Sequence, residues 1–337
     1  LSERGHRTYL AGRPDSAFLT RTHGCVLSGI IPAAFRGEFD PASLICLAKA
    51  IRRHGIDIAH AHTSHAHAYA CLACKFARRG KAIVSRRVDF PPRKGLLNRK
   101  KYACPDHYVV ISERIGEVLR DYGVPDEKLT LVHSGIDPER FNVAPLSREE
   151  IGVPRDAFLF GNVAALAGHK DQATLIAAMP AVVQAFPGAR LVIAGEGTLR
   201  PRLEAQIREL GLGDAVHLLG FRQDVPQLLR ALDAFVLSSR EEGLGTAVLE
   251  AMACRIPVAA APGGGIPEMV KHETTGLLAE AIEDPASLAR QMIRLIEDRP
   301  LAASLASAGH AMLHERFTAD RMVEGNVAVY EKVLANS

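Results

Sequence analysis

Short apolar runs that alternate with helix-like stretches constrain the fold of this chain more than any other feature. The helix-like stretches are periodic, and LICLAKAIRRHG, for example, ends in the glycine expected at a helix C-terminus. Nearly continuous apolar strands separated by helices are typical of parallel sheets covered on both faces. The pattern therefore predicts an α/β fold. The apolar runs are RTYLAG, CVLSGIIP, DIAHAH, KAIVSRR, HYVVIS, LTLVHS, FLFGNVA, ARLVIAG, AVHLLG, AFVLSS, PVAAA and TGLLAE.

The chain is long enough for two domains, since 337 residues exceed the usual size of one. The best linker candidate is the segment 139–157, which combines prolines with several charges. We expect two Rossmann-like, doubly wound parallel-sheet domains that face a central cleft. The predicted domains are residues 1–145 and 146–316, and a C-terminal helix at 317–337 is expected to pack back toward the first domain.

Composition favours a globular protein of the cytoplasm. Hydrophobic residues make up 47% and charged residues 23%, and no apolar run approaches the roughly 20 residues of a membrane span. No signal peptide is visible. Of six cysteines only Cys71 and Cys74 form a CxxC pair, and they are interpreted as small apolar residues of a buried helix. A zinc site would need a second pair.

Positive charge is concentrated in one stretch of the first half. Lys75 to Lys101 contains 11 Lys and Arg and one acid, Asp89, so it carries +10 in a chain of net charge +3. Such a block is typical of a surface for phosphates, anionic lipid or nucleic acid, and an ordinary solvated surface is the alternative. FPPRKGLLNRKKY mixes its cations with apolar residues, which suggests a partner that carries phosphate or lies at an anionic membrane surface. Nucleic acid is disfavoured because aromatic residues for stacking are few.

Two loops after predicted strands of the second domain are candidate anion sites. GNVAALAGHKD is not a P-loop, because six residues separate its glycines and no Ser or Thr follows Lys170. Lys170 is still expected at a helix start, where an anion is attracted, although a solvated lysine is the alternative. AGEGT, with Gly195 and Glu196, is interpreted as a tight turn rather than a dinucleotide fingerprint, since Arg200 replaces the third glycine.

The stretch SSREEGLGTAVLEAMA predicts a strand end, a glycine turn and a helix start. Gly243 and Gly245 allow the backbone to approach a ligand, and Thr246 is expected to cap the helix. Glu242 in the turn and Glu250 one turn into the helix could accept hydrogen bonds from hydroxyl groups. A polyhydroxylated ligand with a central diphosphate would fit. The alternative is two acids that the helix dipole favours near a helix start.

Four histidines occur within DIAHAHTSHAHA, residues 57–68. His60 and His62 are predicted on one strand face, with His62 at the strand end, and His65 and His67 in the next helix. A metal site is the weaker interpretation because no matching carboxylate or cysteine set is present. We expect His62 to bind or polarise a sugar hydroxyl.

The residues from Ser238 to Glu268, followed by TGLLAE, resemble the donor-site signature of the retaining glycosyltransferase family 4 (glycosyltransferase group 1), which has the GT-B fold. The stretches HYVVISERIGEVLRDYGVPDEKLTLVHSGID, GHKDQATLIAAM, ARLVIAGEGTLR and HLLGFRQDVPQLLRALDAFVLSS follow in the family's order. The resemblance implies that the first strand of the N-terminal domain and its glycine-rich loop are missing from this chain. Ala165 stands where the family often has an arginine, and His169 could partly replace that contact.

What the resemblance implies for the site can be given residue by residue. Glu242 would contact the donor sugar, Glu250 the ribose, and Lys170 the leaving diphosphate. Arg222 would lie near the base, His62 would face the acceptor, and Arg86 and Arg87 would lie on the acceptor side, where the family often has a histidine. The implied catalytic residues are Glu242, Lys170 and His62. The implied donor-binding residues are Gly243, Leu244, Gly245, Thr246, Glu250, Gly195, Glu196, Arg222 and His169.

The expected activity is retaining transfer of a sugar from a nucleotide diphosphate sugar to a cell-envelope, lipid-linked or phosphorylated glycan. No cofactor or metal is expected, because cations and the helix end stabilise the leaving group. The protein is expected in the cytoplasm, with peripheral attachment to an anionic inner membrane face as an option. A nucleotide-sugar epimerase or phosphorylase on the same fold is the alternative, and a nucleic-acid-binding protein is the least favoured.

Overall fold

The computed structural model describes residues 1–16, 19, 26–37 and 40–335. The chain divides into two compact units. Unit 1 comprises Leu1–Ile111, Ile115–Val132 and Val323–Ser337, and unit 2 comprises Ser112–Arg114 and His133–Met322.

Unit 1 contains two parallel sheets, one of two strands and one of four. The first pairs β1 with β2, and the second has the order β3-β4-β5-β6. Cys25, where the second predicted strand begins, lies outside the described residues. The strands are β1 Tyr9–Gly12, β2 Gly29–Pro32, β3 Ile58–Ala61, β4 Lys81–Arg86, β5 His107–Val110 and β6 Leu129–Leu131. The helices are α1 Pro41–His54, α2 Ser64–Ala77, α3 Leu96–Ala103 and α4 Glu113–Tyr122.

The core of unit 1 lies where α1 and α2 pack together and against the sheet. α1 begins at Asp40, whose carboxylate accepts the Ala42 N–H, and ends at Gly55 in the left-handed conformation. Cys71 and Cys74 of α2 are both buried in this core. Burial raises the pKa of the Cys74 thiol to about 12 and raises that of Cys71 as well. Both cysteines therefore stay protonated and pack as small apolar residues.

Unit 2 is built on one six-stranded parallel sheet of order β12-β11-β10-β7-β8-β9. The chain enters at β7, builds outward through β8 and β9, and then returns to the other side of β7 as β10. The loops after β7 and β10 therefore diverge at a topological switch point, where open α/β sheets bind ligands. The strands are β7 Phe158–Val163, β8 Ala189–Ala194, β9 Val216–Gly220, β10 Ala234–Leu237, β11 Val258–Ala260 and β12 Leu277–Leu278.

Helices cover the sheet of unit 2 and bury its apolar strands. The central strands β7, β8 and β10 are buried almost throughout, which confirms the predicted α/β class with parallel sheets. No helix in the described part of the chain combines the length and apolar composition that a membrane crossing requires. The helices are α5 Arg148–Ile151, α6 Gln172–Ala185, α7 Arg200–Glu209, α8 Val225–Arg230, α9 Thr246–Ala253, α10 Ile266–Met269, α11 Pro285–Glu297, α12 Arg299–Arg316 and α13 Ala319–Ala335.

The chain passes from one unit to the other earlier than the predicted position near residue 145, at Val132–His133. The predicted linker 139–157 lies within unit 2. Its apolar side chains Phe141, Ile151 and Val153 are buried, and α5 within it starts with a capping box. At the other end, α13 begins in unit 2, and its residues from Val323 onward belong to unit 1.

Candidate active site

An ion pair lies at the switch point of the unit 2 sheet. Lys170 ends a short 3-10 turn after β7, and Glu242 lies in the loop after β10. The Lys170 Nζ is 2.6 Å from the Glu242 Oε1, and the two side chains are only 20% and 10% exposed. The Ser239 hydroxyl donates to the same carboxylate oxygen at 2.9 Å. The fold thus brings together two predicted site residues, 72 positions apart, in a partly desolvated pair.

Hydrogen bonds to main-chain carbonyls hold the two loops of this pair together. The Ser238 hydroxyl donates to the Lys170 carbonyl at 3.1 Å, and the Arg240 N–H donates to the His169 carbonyl at 2.9 Å. The Arg240 guanidinium also donates to the Gly168 carbonyl at 2.8 Å. His169 itself contributes its backbone here, while its side chain is exposed. The loop that follows β10 therefore fixes the backbone position of Lys170.

The glycine turn before α9 packs closely on a second glycine loop. Gly245 has a φ of 88°, and a Cβ there would lie 2.5 Å from the Ile266 Cδ1. A Cβ on Gly265 would lie 2.6 Å from the Gly243 carbonyl oxygen. The Gly265 N–H donates to the Glu242 carbonyl at 2.8 Å. Glycines are required because the two loops contact through their backbones.

The start of α9 differs from the prediction. Gly245, not Thr246, is the N-cap residue, because only glycine adopts this left-handed conformation at little cost. Thr246 is the first helical residue, is exposed and makes no capping hydrogen bond. Leu244 is buried, so only its backbone can face a ligand. The first N–H groups of α9 therefore lack a side-chain cap, which suits an anion.

Glu250 lies one turn into α9 with no hydrogen bond to its carboxylate from the described residues. Burial raises the pKa of Glu250, and the positive charge of Arg140 opposes that rise. Arg140 lies in the 3-10 turn Pro138–Phe141, which contacts α9. Sequence reasoning missed Arg140 because it falls in the predicted linker. A half-buried carboxylate that accepts no hydrogen bond from the described residues is suited to accept hydrogen bonds from the hydroxyl groups of a ligand.

The GxG turn after β8 packs tightly on the loop after β7. A Cβ on Gly195 would lie 1.9 Å from the Ala164 carbonyl oxygen, and one on Gly197 would lie 2.3 Å from that of Leu166. Close packing thus accounts for both glycines, as the tight-turn interpretation requires. The Glu196 side chain pairs with Arg200 at 2.7 Å.

Arg222 follows the edge strand β9 and is held by Asp224. Its Nε and Nη2 donate to the two carboxylate oxygens at 2.8 and 2.5 Å. This guanidinium holds the pKa of Asp224 below its usual range. The bidentate contact fixes the guanidinium plane.

A cluster in unit 1 surrounds the predicted acceptor-side histidine. His60 Nδ1 is 2.6 Å from the Tyr330 hydroxyl, its Nε2 is 2.8 Å from the Ser85 hydroxyl, and its ring lies 4.2 Å from that of His62. Burial lowers the pKa of His60 to about 3. Burial, and then the charge of Arg87, lower the pKa of His62. Both imidazoles are therefore neutral at neutral pH.

Tyr330 comes from α13 and was missed because nothing in the sequence links it to a residue 270 positions away. No group of three or more His, Cys, Asp or Glu side chains in the described ranges is placed to hold a metal ion. His65 and His67 lie in α2, and His67 is buried with its Nε2 3.0 Å from the Lys101 carbonyl.

Arg86 does not fit the predicted acceptor-side position. It is 7% exposed, and its guanidinium donates to the Tyr102 hydroxyl at 3.0 Å and to the Phe90 carbonyl at 2.5 Å. These internal partners explain the burial. Arg87, in contrast, is exposed as a whole residue. Its guanidinium is nevertheless partly desolvated, which lowers its pKa.

Two family models together cover nearly the whole chain. The model for glycosyl transferases group 1 matches residues 144–312, and that for glycosyltransferase family 4 matches residues 1–140. The chain belongs to the group 1 glycosyltransferases. The fold and family that the sequence resemblance implied are therefore confirmed.

Individual relatives of this glycosyltransferase are similar over most of their length. EpsD of Bacillus subtilis, assigned as a glycosyltransferase, is 32% identical over an alignment of 317 positions that covers 88% of this chain and 82% of EpsD. The UDP-Gal:alpha-D-GlcNAc-diphosphoundecaprenol alpha-1,3-galactosyltransferase of Escherichia coli is 27% identical over an alignment of 281 positions that covers 78% of this chain and 72% of that enzyme.

A solved structure extends the similarity to the whole fold. Alr3699/HepE of Anabaena, in complex with UDP and glucose, is 26% identical with a TM-score of 0.82, covering 96% of this chain and 91% of that one. A second structure of the same protein holds UDP-glucose. The family and these neighbours establish the chain as a transferase enzyme with the GT-B fold.

Proposed function

We propose that this glycosyltransferase transfers a sugar, with retention of configuration, from a UDP-sugar to a glycan carried on a lipid diphosphate. The observation that carries the proposal is the Lys170–Glu242 pair at the switch point, next to the start of α9, which has no side-chain cap, and to Glu250, whose carboxylate accepts no hydrogen bond from the described residues. A cation, backbone N–H groups and two carboxylates match a diphosphate flanked by two polyhydroxylated groups.

Each donor group has a separate role in this proposal. Glu250 accepts hydrogen bonds from the ribose hydroxyls, and the backbone of residues 243–246 contacts the sugar and the phosphates. Arg222 lies toward the base. When the diphosphate binds, the Lys170 ammonium turns from Glu242 to the phosphate oxygens, and Glu242 accepts a hydrogen bond from a sugar hydroxyl. The bound donor thus replaces the ion pair of the ligand-free protein.

The reaction requires no protein nucleophile in this scheme. The bond between the anomeric carbon and the phosphate oxygen breaks, and the acceptor oxygen bonds to the same face of that carbon. The acceptor proton passes to the departing phosphate oxygen. Lys170 and the helix start stabilise the charge that develops on the diphosphate, so the proposal requires no metal ion or cofactor.

Unit 1 holds the acceptor in this proposal, and unit 2 holds the donor. Neutral His62 accepts a hydrogen bond from the acceptor hydroxyl, oriented by the ring of His60 behind it. The name of the E. coli relative specifies a diphosphoundecaprenol-linked acceptor, which supports a lipid-linked acceptor here. The enzyme would then work from the cytoplasm at the inner face of the membrane.

Isothermal titration with UDP tests the donor site. We expect wild-type binding and a loss of about 10- to 100-fold in affinity for Glu250→Ala, the range for a hydrogen bond to a charged group. Glu315→Ala, which removes an exposed carboxylate of α12, is the matched control. Absence of UDP binding, or equal affinity of Glu250→Ala and the control, would show that this site does not hold the nucleotide.

Incubation with the donor alone separates the proposal from its enzymatic alternatives. An epimerase would convert the UDP-sugar without an acceptor, and a phosphorylase would require inorganic phosphate. We expect neither conversion, and we expect sugar transfer only when a glycan acceptor is added. The anomeric configuration of the product, read by NMR coupling, tests retention.

A further inference from the structure

Residues 90–101 of unit 1, here called the basic–apolar segment, combine exposed apolar side chains with cations. Leu96 and Leu97, at the start of α3, are 79% and 85% exposed, and Phe90 is 54% exposed. Large aliphatic side chains at such exposure are uncommon when adjacent on a folded surface, and a cluster of them marks an interaction site. The cations of the segment are Arg93, Lys94, Arg99, Lys100 and Lys101.

The basic–apolar segment is attached to the body of unit 1 from its inner side. The Phe90 carbonyl accepts from the Arg86 guanidinium, and the Tyr122 hydroxyl donates to the Arg93 carbonyl at 3.0 Å. At its far end Tyr102 is buried, with its ring 5.0 Å from that of Tyr122. These contacts involve the backbone of the segment and the buried Tyr102, and none of them involves the side chains of Leu96 and Leu97. The segment is thus fixed to unit 1 while both leucine side chains remain exposed to solvent.

The positive charge of the segment is not neutralised within the protein. Across the described residues, no carboxylate lies within ion-pair distance of any of the five cations. The nearest acid along the chain, Asp89, precedes the segment, and none lies inside it. Five uncompensated charges create a local positive potential that attracts a polyanionic surface.

We propose that the basic–apolar segment docks the enzyme on an anionic lipid surface. Leu96, Leu97 and Phe90 enter the boundary between headgroups and acyl chains, and the surrounding cations contact lipid phosphates. Phe90 and the leucines would add apolar burial to an electrostatic attraction, which is the combination that stable peripheral binding requires. The value of such docking to the enzyme rests on the proposed lipid-linked acceptor, but the binding itself does not.

The side-chain chemistry favours lipid over other polyanions. Proteins that bind single-stranded nucleic acid place aromatic rings where bases can stack, whereas Tyr102 here is buried and the most exposed apolar groups are leucines. Leucine side chains can neither form hydrogen bonds with a base or a phosphate nor stack on a base as an aromatic ring does. They gain free energy only when they leave water for an apolar phase.

Cosedimentation with vesicles tests the proposal on the full chain. We expect binding to vesicles of equal parts phosphatidylglycerol and phosphatidylcholine, and little binding to phosphatidylcholine alone. Lys94→Gln with Lys100→Gln should weaken binding about 25-fold, since each cation near an anionic membrane contributes roughly fivefold. Raising the salt concentration should weaken wild-type binding in the same direction.

A second pair of variants tests the apolar contribution. Leu96→Ser with Leu97→Ser should reduce binding at least about tenfold, without loss of thermal stability because both side chains are exposed. Ile45→Ser, at an exposed apolar position of α1, and Arg202→Gln with Arg208→Gln, exposed on α7, are matched controls that should bind as wild type.

Four outcomes would overturn the proposal: no vesicle binding, equal binding to neutral vesicles, equal binding by the leucine variant, or loss of a dimer in that variant during size-exclusion chromatography. The last would assign the surface to a second copy of the chain. UDP titration of the same variants should give the wild-type affinity. Vesicle binding without UDP binding would contradict the proposed function alone, and the reverse would contradict only the membrane surface.

Discussion

Glu242 and Glu250 are both acids of one short stretch, but their surroundings differ. Glu242 is held by Lys170 and by the Ser239 hydroxyl. For Glu250, burial raises the pKa, and among the described residues the charge that opposes this rise is that of Arg140. A carboxylate that burial disfavours and no hydrogen bond supports costs the folded state free energy. At this residue the protein is arranged for a ligand at the expense of stability.

Replacing Glu250 by glutamine should therefore stabilise the ligand-free enzyme at neutral pH. The raised pKa means that the folded state holds the proton more tightly than the unfolded state. Stability is thus unaffected by this group below the unfolded pKa and falls as pH rises through the folded pKa. Melting temperatures from acidic to neutral pH should show this fall for wild type and less of it for Glu250→Gln.

The same variant should lose most of the UDP-induced rise in melting temperature, because an amide accepts ribose hydroxyls less well than a carboxylate. Glu315→Gln, on the exposed side of α12, controls for the loss of one negative charge. A Glu250→Gln protein that is less stable at neutral pH, or that keeps the full response to UDP, would contradict this account.

Residue pattern predicted part of this site and not the rest. Glu242, Glu250 and Lys170 were singled out because strand ends and helix starts can be located in the sequence, and the family resemblance then implied their roles. Thr246 was wrong as a cap, because the backbone conformation of Gly245 moves the helix start by one residue. The burial of Arg86 depends on partners that the fold brings to it, which no local pattern encodes.

At the scale of elements, loops packed backbone to backbone hold the candidate site. The turn after β8 lies on the loop after β7, with Gly197 facing the Leu166 carbonyl. Apolar runs predicted every described strand, because a buried parallel strand is apolar nearly throughout. The same runs could not predict which loops meet, since sheet order is set by packing between distant segments. The order of β7 between β8 and β10 creates the switch point.

Gly197→Ala should destabilise the protein by about 1–3 kcal/mol or more, because the new Cβ would need space occupied by a backbone carbonyl. Gly213→Ala is the matched control, since a Cβ there meets nothing within 4 Å. Differential scanning calorimetry should show a melting temperature several degrees lower for Gly197→Ala alone. Equal melting temperatures would mean that the two loops are not packed as described.

At the scale of the whole molecule, unit 1 is discontinuous in the chain. It is completed by the end of α13, where Val329 and Val333 are buried and Tyr330 contacts His60. A Cβ on Gly325 would lie 2.7 Å from the Val132 side chain, so the helix packs closely on the end of β6. The sequence analysis expected a terminal helix that packs back toward the first domain. The individual residues that its side chains contact lie about 200 or more positions away and could not be predicted from the sequence.

Truncation after Met322 should therefore destabilise unit 1 and leave UDP binding by unit 2 intact. Hydrogen exchange should show lost protection in β3 to β6, because the deletion exposes apolar surface that α13 covers. Full-length Tyr330→Phe removes one hydrogen bond and should cost about 1 kcal/mol without the wider loss of protection. Protection of β3 to β6 that survives truncation would refute this account of unit 1.

Because α13 is translated last, it also sets the order in which the two units can fold during synthesis. A ribosome releases the strands of unit 1 first, but their covering helix residues follow almost 200 positions after Val132. At about 5–20 residues per second, the sheet waits roughly 10–40 s for them. Unit 2, which ends at Met322, is synthesised during that time. The unit whose strands are translated first is therefore completed last, and its sheet lacks the covering residues of α13 until then.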